Sequence, residues 1–383
     1  MKPPRTRPFN LPALRQGIDA LDARIIDLLN QRSRLVVEVG KYKQAHGIPI
    51  YAPHREADVL ARVLAHNQGP LPPRTIEGIY RELMSGSFAL ERPLTIGYLG
   101  PAGSFSHAAA VKHFGSSVDF ADLREIAGVF TEVARGHVDY GLVPIENSAH
   151  GGITETLDSL MKHAPRGQVR VCAEAQLAVH HALCANCAPS QVTRIYSKPE
   201  VFSQCRTWLA TQYPRAELIP TISSSRAVQM VAEESLPAPR RSKRPSKGAL
   251  GSAAIGSALA AELYGVNVLF PRIEDDAHNL TRFFILSRHP AQKSGDDKTS
   301  VMFVTLNKPG ALVSVLSDFQ KAKVNLTHID KRPGGRVNWQ YVFFVDAQGH
   351  ETDPAMRKAL AAARKHCKEL HVLGSYPRST RVL

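Results

Sequence analysis

Cysteine is scarce, with five in 383 residues. A low and odd count excludes a disulfide framework and favours free thiols in a reducing compartment. No apolar run approaches the roughly 20 residues needed to cross a bilayer, so no membrane span is expected. The N-terminal stretch 1–16 is basic but lacks the continuous apolar segment of a secretory signal, which makes the cytoplasm the default location. Acid is also in short supply: 34 Asp and Glu stand against 48 Lys and Arg, a net charge of +14. An anionic partner follows, anywhere from nucleic acid to a small dicarboxylate, and charge does not choose between them. Part of the excess sits in 237–249, a basic stretch with three Pro and no acid that reads as a solvated insertion. It has no interleaved aromatics for base stacking, so nucleic acid is not expected as a partner.

What is present divides into three segments of different grammar. The length implies two or three domains. In residues 10–92, Leu14, Ile18, Leu21, Ile25, Leu28, Leu35, Val39 and Tyr42 form a continuous 3,4 stripe in which only Arg32 is not apolar. Asn10 as cap, Pro12 in the first turn and Gly47 with Pro49 at the end predict one helix of about 36 residues, roughly 54 Å long. Two shorter helices, at 54–67 and 73–91, cannot cover that stripe, so the spacing predicts a dimer. Lys43 lies eleven residues beyond Arg32 and returns to within about 20° of its helix face. Arg15 falls about 100° away and joins them only from the partner chain of an antiparallel dimer.

From Leu94 short apolar strands alternate with helices, which predicts an α/β unit of mainly parallel strands with sites at strand ends. "AQLAVHHALC" reads as one of those strands. In "NLTRFFIL", residues 279–286, Thr281 and Arg282 interrupt an otherwise buried strand. After a polar linker, strands and helices at 300–307, 310–322, 324–330, 339–346, 353–366 and 369–376 give the βαββαβ order of a ferredoxin-like fold.

"LRQGIDALDARIIDLLNQRSRLVVEVGKYK" with "HRE" downstream resembles an all-helical chorismate mutase, an intertwined dimer that in bifunctional proteins precedes a prephenate dehydratase. The resemblance implies that chorismate, a dicarboxylate, is gripped by Arg15, Arg32, Lys43 and Arg55. Lys43 and Glu91 would face its ether oxygen, and Glu56 and Ser87 its hydroxyl side. The rearrangement is pericyclic, so rate comes from holding the compact conformer and stabilising the charge that develops on that oxygen. Ala52 stands where many relatives carry an acid. Glu91 stands where some carry Gln, and a carboxyl donates to an ether oxygen only when protonated.

Residues 94–289 resemble prephenate dehydratase, a two-lobed α/β unit like a periplasmic binding protein, through "GPAGSFSHAAA", "VPIENSAHGGI", "SSSRAVQMV" and the Thr-Arg-Phe signature. The hydroxyls and amides of Ser104, Ser106, Ser224 and Ser225 at helix starts suit the carboxylates of prephenate. Thr281 is the candidate donor to the departing hydroxide, with Arg282 orienting a carboxylate or the nearby loop and Phe283 packing beneath. Asn147 and Ser148 would line the opposite lobe, and Glu146 belongs to the same set.

Residues 299–378 resemble an ACT regulatory domain of the phenylalanine-binding kind. That implies a ligand site at Gly310, Ala311 and Leu312, with Asn325 and Asp330, Lys331, Arg332 and Pro333; the last four occur as Asp-Lys-Arg-Pro where relatives have Glu-Ser-Arg-Pro. Trp339 fits the same pattern. The domains expected are thus 1–92, 94–289 and 299–378. The implied function is conversion of chorismate to prephenate and then phenylpyruvate, with L-phenylalanine as feedback effector and no cofactor. His180, His181, Cys184 and Cys187 have a spacing reminiscent of zinc sites, but no second Cys pair follows, so no metal is expected. Two rivals stay open: a dehydratase with a decayed mutase, and a two-lobed small-molecule sensor without catalysis.

Overall fold

The computed structural model describes residues 10–149, 151–235, 251–334 and 340–383. The basic stretch 237–249 and Trp339 lie outside the described residues. All five cysteines are free.

Three helices come first: α1 (Leu11–Ala45), α2 (Pro53–His66) and α3 (Pro73–Glu91). Asn10 caps α1, its side chain accepting from the Ala13 amide at 3.3 Å, and Gly47 at φ +64° follows the end of the helix. The 35 residues of α1 extend about 52 Å. On one side Gly40 is buried against Glu91 of α3. On the other, the whole predicted stripe from Leu14 to Tyr42 is exposed, Leu35 by 70%.

The central unit has two lobes. The first contains β1 (Thr95–Leu99), α4 (Phe105–Phe114), β2 (Asp119–Leu123), α5 (Ile126–Arg135), β3 (Tyr140–Asn147), β4 (Gly151–Gly152), α6 (Thr154–His163) and β5 (Arg170–Ala178). The second contains β6 (Ala182–Cys184), β7 (Arg194–Ser197), α7 (Pro199–Gln204), α8 (Arg206–Gln212), β8 (Glu217–Pro220), α9 (Ser224–Ser235), β9 (Ser252–Gly256), α10 (Ala258–Tyr264) and β10 (Val268–Phe270). The chain then returns to the first lobe as β11 (Leu280–Ser287). The sheets are ordered β2-β1-β3-β11-β5, with β4 on β3, and β10-β6-β9-β7-β8.

Two expectations need correction. The sheets are mixed rather than mainly parallel: in the first, β11 enters from the second lobe and runs antiparallel to both β3 and β5, and in the second, β6 runs antiparallel to β10 and β9. "AQLAVHHALC" is two strands in two different sheets, broken at 179–181 where the chain passes between lobes.

The C-terminal unit comprises β12 (Asp297–Thr305), α11 (Ala311–Lys321), β13 (Leu326–Pro333), β14 (Tyr341–Gln348), α12 (Pro354–Ala363) and β15 (Cys367–Pro377), in the βαββαβ order read from the sequence. Its antiparallel sheet runs β13-β14-β12-β15. Alternation along the strands separates its two faces. Val301, Phe303, Val345 and Ala347 pack with α11 and α12, whereas Met302, Val342, Phe344 and Tyr376 join the core of the first lobe.

Candidate active sites and family

In the helical unit the cations planted in apolar surroundings find partners on α3. Arg32 donates to the Ser87 hydroxyl at 2.8 Å, and Ser87 in turn donates a hydrogen bond to the Leu83 carbonyl. Lys43 reaches Glu91 at 2.8 Å and the Ile50 carbonyl at 2.9 Å. Lys43 is only 18% exposed. A half-buried ammonium held by one carboxylate and one carbonyl is a site for further negative charge. Lys43 and Arg55 line a common cavity of about 360 Å³ with Tyr42 and Ala52, although Arg55 itself is exposed.

Two members of the expected set do not join them within one chain. Arg15 is exposed on α1, as its helical angle requires. Glu56 is buried and ion-paired with Arg81 of α3, and it lines a different cavity with His113 and Arg381. Burial lowers the pKa of Arg81 to about 10, with Tyr51 opposing. Because Arg81 needs a counter-charge in this dry interface, Glu56 is spent on it.

The second site forms where the lobes meet. Thr281, at the start of β11, pairs in register with Asn147 at the end of β3. Asn147 Nδ2 donates to Thr281 Oγ1 at 2.9 Å and to Asn279 at 2.8 Å. Since Thr281 accepts this bond, its own hydroxyl proton points elsewhere. Ser148 accepts from the Leu280 amide at 2.9 Å and so stitches the two strands together. Phe283 is buried in the same core as Leu177 and Ile285, on the face of β11 shared with Thr281.

The serines have structural duties. Ser104 caps α4, accepting from the His107 amide and donating to the Leu99 carbonyl. Ser225 donates across the lobes to the Ala102 carbonyl. Ser106 is buried, and Ser224 is the first residue of α9, whose cap is Ser223, the first serine of the motif. Thus the hydroxyls of Ser104 and Ser225 are committed to backbone carbonyls, and the amides at these helix starts are what is left for anions.

Alternation turns Arg282 to the face opposite Thr281, where Nε meets Glu174 at 2.8 Å and Nη2 meets Asp346 at 2.5 Å. Desolvation lowers the pKa of this guanidinium, but Tyr376, Asp346 and Glu174 outweigh it and the net shift is upward. A guanidinium so occupied already meets protein carboxylates on several sides, which fits the loop-orienting half of the expectation. Glu174 and Asp346 were missed in the sequence. The usable signal was the one that singled out Arg32, a lone charge in an apolar run: "VCAEAQLAV" and "YVFFVDA" each contain one. Glu146 lies beside Arg282, 3.7 Å from Nη1, rather than at Thr281.

In the C-terminal unit Gly310, at φ +76°, precedes α11, with Ala311 buried and Leu312 half-buried. Asn325 lies at the far end of α11, about 16 Å along the helix, so a single chain does not bring it to Gly310. Lys331 sits over the Tyr341 ring. Asp330 and Arg332 face the first lobe instead: the Asp330 carboxylate lies against Gly152, and Arg332 forks onto Asp158 with two bonds of 2.8 Å. Pro333 ends β13. Of the residues with zinc-like spacing, His180 is bonded to Glu274 and His181 to Gln204, each at 2.7 Å. Cys184 donates to the Ala182 carbonyl.

The chain matches the family models of chorismate mutase type II over residues 14–92, prephenate dehydratase over 96–291 and the ACT domain over 299–365. It is 40% identical over 376 residues to a bifunctional chorismate mutase/prephenate dehydratase of Stutzerimonas stutzeri, covering 96% of this chain and 98% of that one. It is 38% identical, with the same coverage, to the protein of that name from Pseudomonas aeruginosa. Among solved structures it is similar to a prephenate dehydratase from Arthrobacter aurescens in complex with L-Phe, at 32% identity and a TM-score of 0.64, covering 74% of this chain and 90% of that one. With both sites built and the likeness spanning nearly the whole chain, the protein belongs to the bifunctional chorismate mutase/prephenate dehydratase family.

Proposed function

We propose that the chain rearranges chorismate to prephenate at the helical unit and converts prephenate to phenylpyruvate between the lobes, in domains 1–92 and 94–289. The observation that supports this best is one chain holding two separate constellations: Lys43 with Glu91 beside Arg32 with Ser87, and Thr281 with Asn147. In the first, Lys43 stabilises negative charge on the breaking ether C–O bond while the new C–C bond forms. In the second, prephenate loses its ring carboxylate as carbon dioxide. That electron pair expels the ring hydroxyl, and Thr281 donates a hydrogen bond to the departing oxygen as the ring becomes aromatic. Asn147 fixes the hydroxyl that donates.

The uncovered apolar stripe of α1 supports a second copy of the chain as its partner. That copy would supply Arg15. Residues 299–378 form the effector domain, with L-phenylalanine bound beside Gly310. Among the described residues no helix is long and apolar enough to cross a membrane, and a cytoplasmic location accords with the free thiols. The test is to supply chorismate to the purified chain and follow prephenate and phenylpyruvate with and without L-phenylalanine. Formation of both, with the second suppressed by the amino acid, is expected. Absence of prephenate indicates a decayed mutase, and binding without turnover a sensor.

A further inference from the structure

Thr281 and Arg282 are adjacent, and strand alternation sends Thr281 to the face of Phe283 and Ile285 and Arg282 to the surface covered by the C-terminal sheet. Around Arg282 the two units are joined by a continuous polar network. Its Nη2 touches Asp346 at 2.5 Å and the Tyr376 hydroxyl at 3.2 Å. Ser300 bridges Asp346 and Tyr376 at 2.5 and 2.6 Å. Lys298 crosses in the other direction to Glu174 at 2.9 Å, the carboxylate that also holds Arg282 Nε. Glu174, Ser300, Asp346 and Tyr376 are all buried. A network this dry is stiff, because releasing any member strands a charge away from water.

The network ends next to Asn147. Glu146, beside Arg282 at 3.7 Å and beside His328 of the C-terminal unit at 3.4 Å, is the residue before Asn147. Pairing between β3 and β11 shifts register just beyond it, so Ile145 bulges out. Bulges re-aim the neighbouring side chain and give a strand local freedom. Asp330 and Arg332, against Gly152 and Asp158, hold the chain just after Asn147 from the same side.

We propose that Arg282 is a positioning residue, through which the seating of the C-terminal sheet at Asp346 sets the approach of Asn147 to Thr281. This rests on the reading of Thr281 and Asn147 as the dehydratase site. Arg282 does not touch the substrate. Displacement of the C-terminal sheet acts on the dehydratase at this point, while the Lys43 site is left alone.

The test uses the full chain, with prephenate and chorismate turnover measured on the same samples of Asp346→Asn, Asp346→Glu and Arg282→Lys. Misplacement of a reacting group by a fraction of an ångström lowers turnover without weakening binding, so Asp346→Asn should lower kcat for prephenate about 10-fold with KM unchanged within about 2-fold. Chorismate turnover should stay at the wild-type value, which also shows that the chain is folded. Asp346→Glu should recover at least about half of the lost kcat, and Arg282→Lys, which keeps the charge but loses the fork, should fall between. Wild-type kcat in Asp346→Asn overturns the proposal. So does a raised KM at constant kcat in Arg282→Lys, which would mean direct substrate contact, or a parallel fall in both activities, which would mean general destabilisation. A wild-type chain inactive on prephenate overturns the functional reading itself, and the inference with it.

Discussion

Asn147 Nδ2 lies 2.9 Å from Thr281 Oγ1, across the pair of strands that closes the hinge between the two lobes. Asn147 reaches this point on the last residue of β3, and Thr281 near the first of β11, on the chain's return from the second lobe. The contact therefore exists only once the chain has returned from the second lobe as β11.

Removal of the hydroxyl should abolish its donor role. Thr281→Ala is expected to lower prephenate turnover by at least about 100-fold, the usual scale of a positioned proton donor, while Thr281→Ser retains most activity. Chorismate turnover serves as the control. Near-normal formation of phenylpyruvate by the alanine variant would exclude Thr281.

Glu91 accepts from Lys43 in its ionised form, whereas a contact to the ether oxygen of chorismate needs a donor. Glu91→Gln, whose amide places a donor beside Lys43, should raise mutase kcat at saturating chorismate. An unchanged or lowered kcat in the variant would count against donation from this position.

Ala52 occupies the cap position of α2 without a side-chain hydrogen bond. Ala52→Asp supplies an acceptor for the exposed amides of the first turn and should stabilise the chain by about 1 kcal/mol in denaturant titration. An unchanged or lowered midpoint would show that the half-buried aspartate is opposed by desolvation.

Burial holds His113 well below its ordinary pKa, with Arg81 and Arg381 adding to the effect, and burial also lowers His107, His163 and His181. Below about pH 6.5 the unfolded chain takes up protons on these rings that the folded chain refuses. Their contribution is present above that pH and is lost as pH falls toward the folded values. Thermal midpoints should therefore drop between pH 7 and 5, and drop less in His113→Gln. An equal drop in the variant would remove His113 from the account.

The stripe on α1 should direct assembly. Leu21→Arg with Leu28→Asp places charges on exposed apolar positions and should shift the sedimentation of the chain toward a monomer, with mutase activity lost because Arg15 of a second copy is lost too. A monomeric wild type would refute the shared site.

Much of this was legible in one dimension. The 3,4 spacing with its cap and Gly47 determined α1 nearly to the residue, and the alternation after β11 determined the βαββαβ unit, because helix and strand periods are local properties of the chain. The cations that matter in the helical unit were found by the same logic: Arg32 breaks an apolar stripe, and eleven residues return Lys43 to within about 20° of the same helix face.

Pairing partners were decided only in three dimensions. Nothing local says that β11 enters antiparallel between β3 and β5, that Glu56 answers Arg81, or that Arg282 meets Glu174 and Asp346. The sequence by itself determined which segments are helix or strand and which charges are out of place in them. The tertiary structure alone decided which opposite charge each one meets, since that choice is made between different segments, Arg282 and Glu174 standing 108 residues apart, and is set by which surfaces exclude water together.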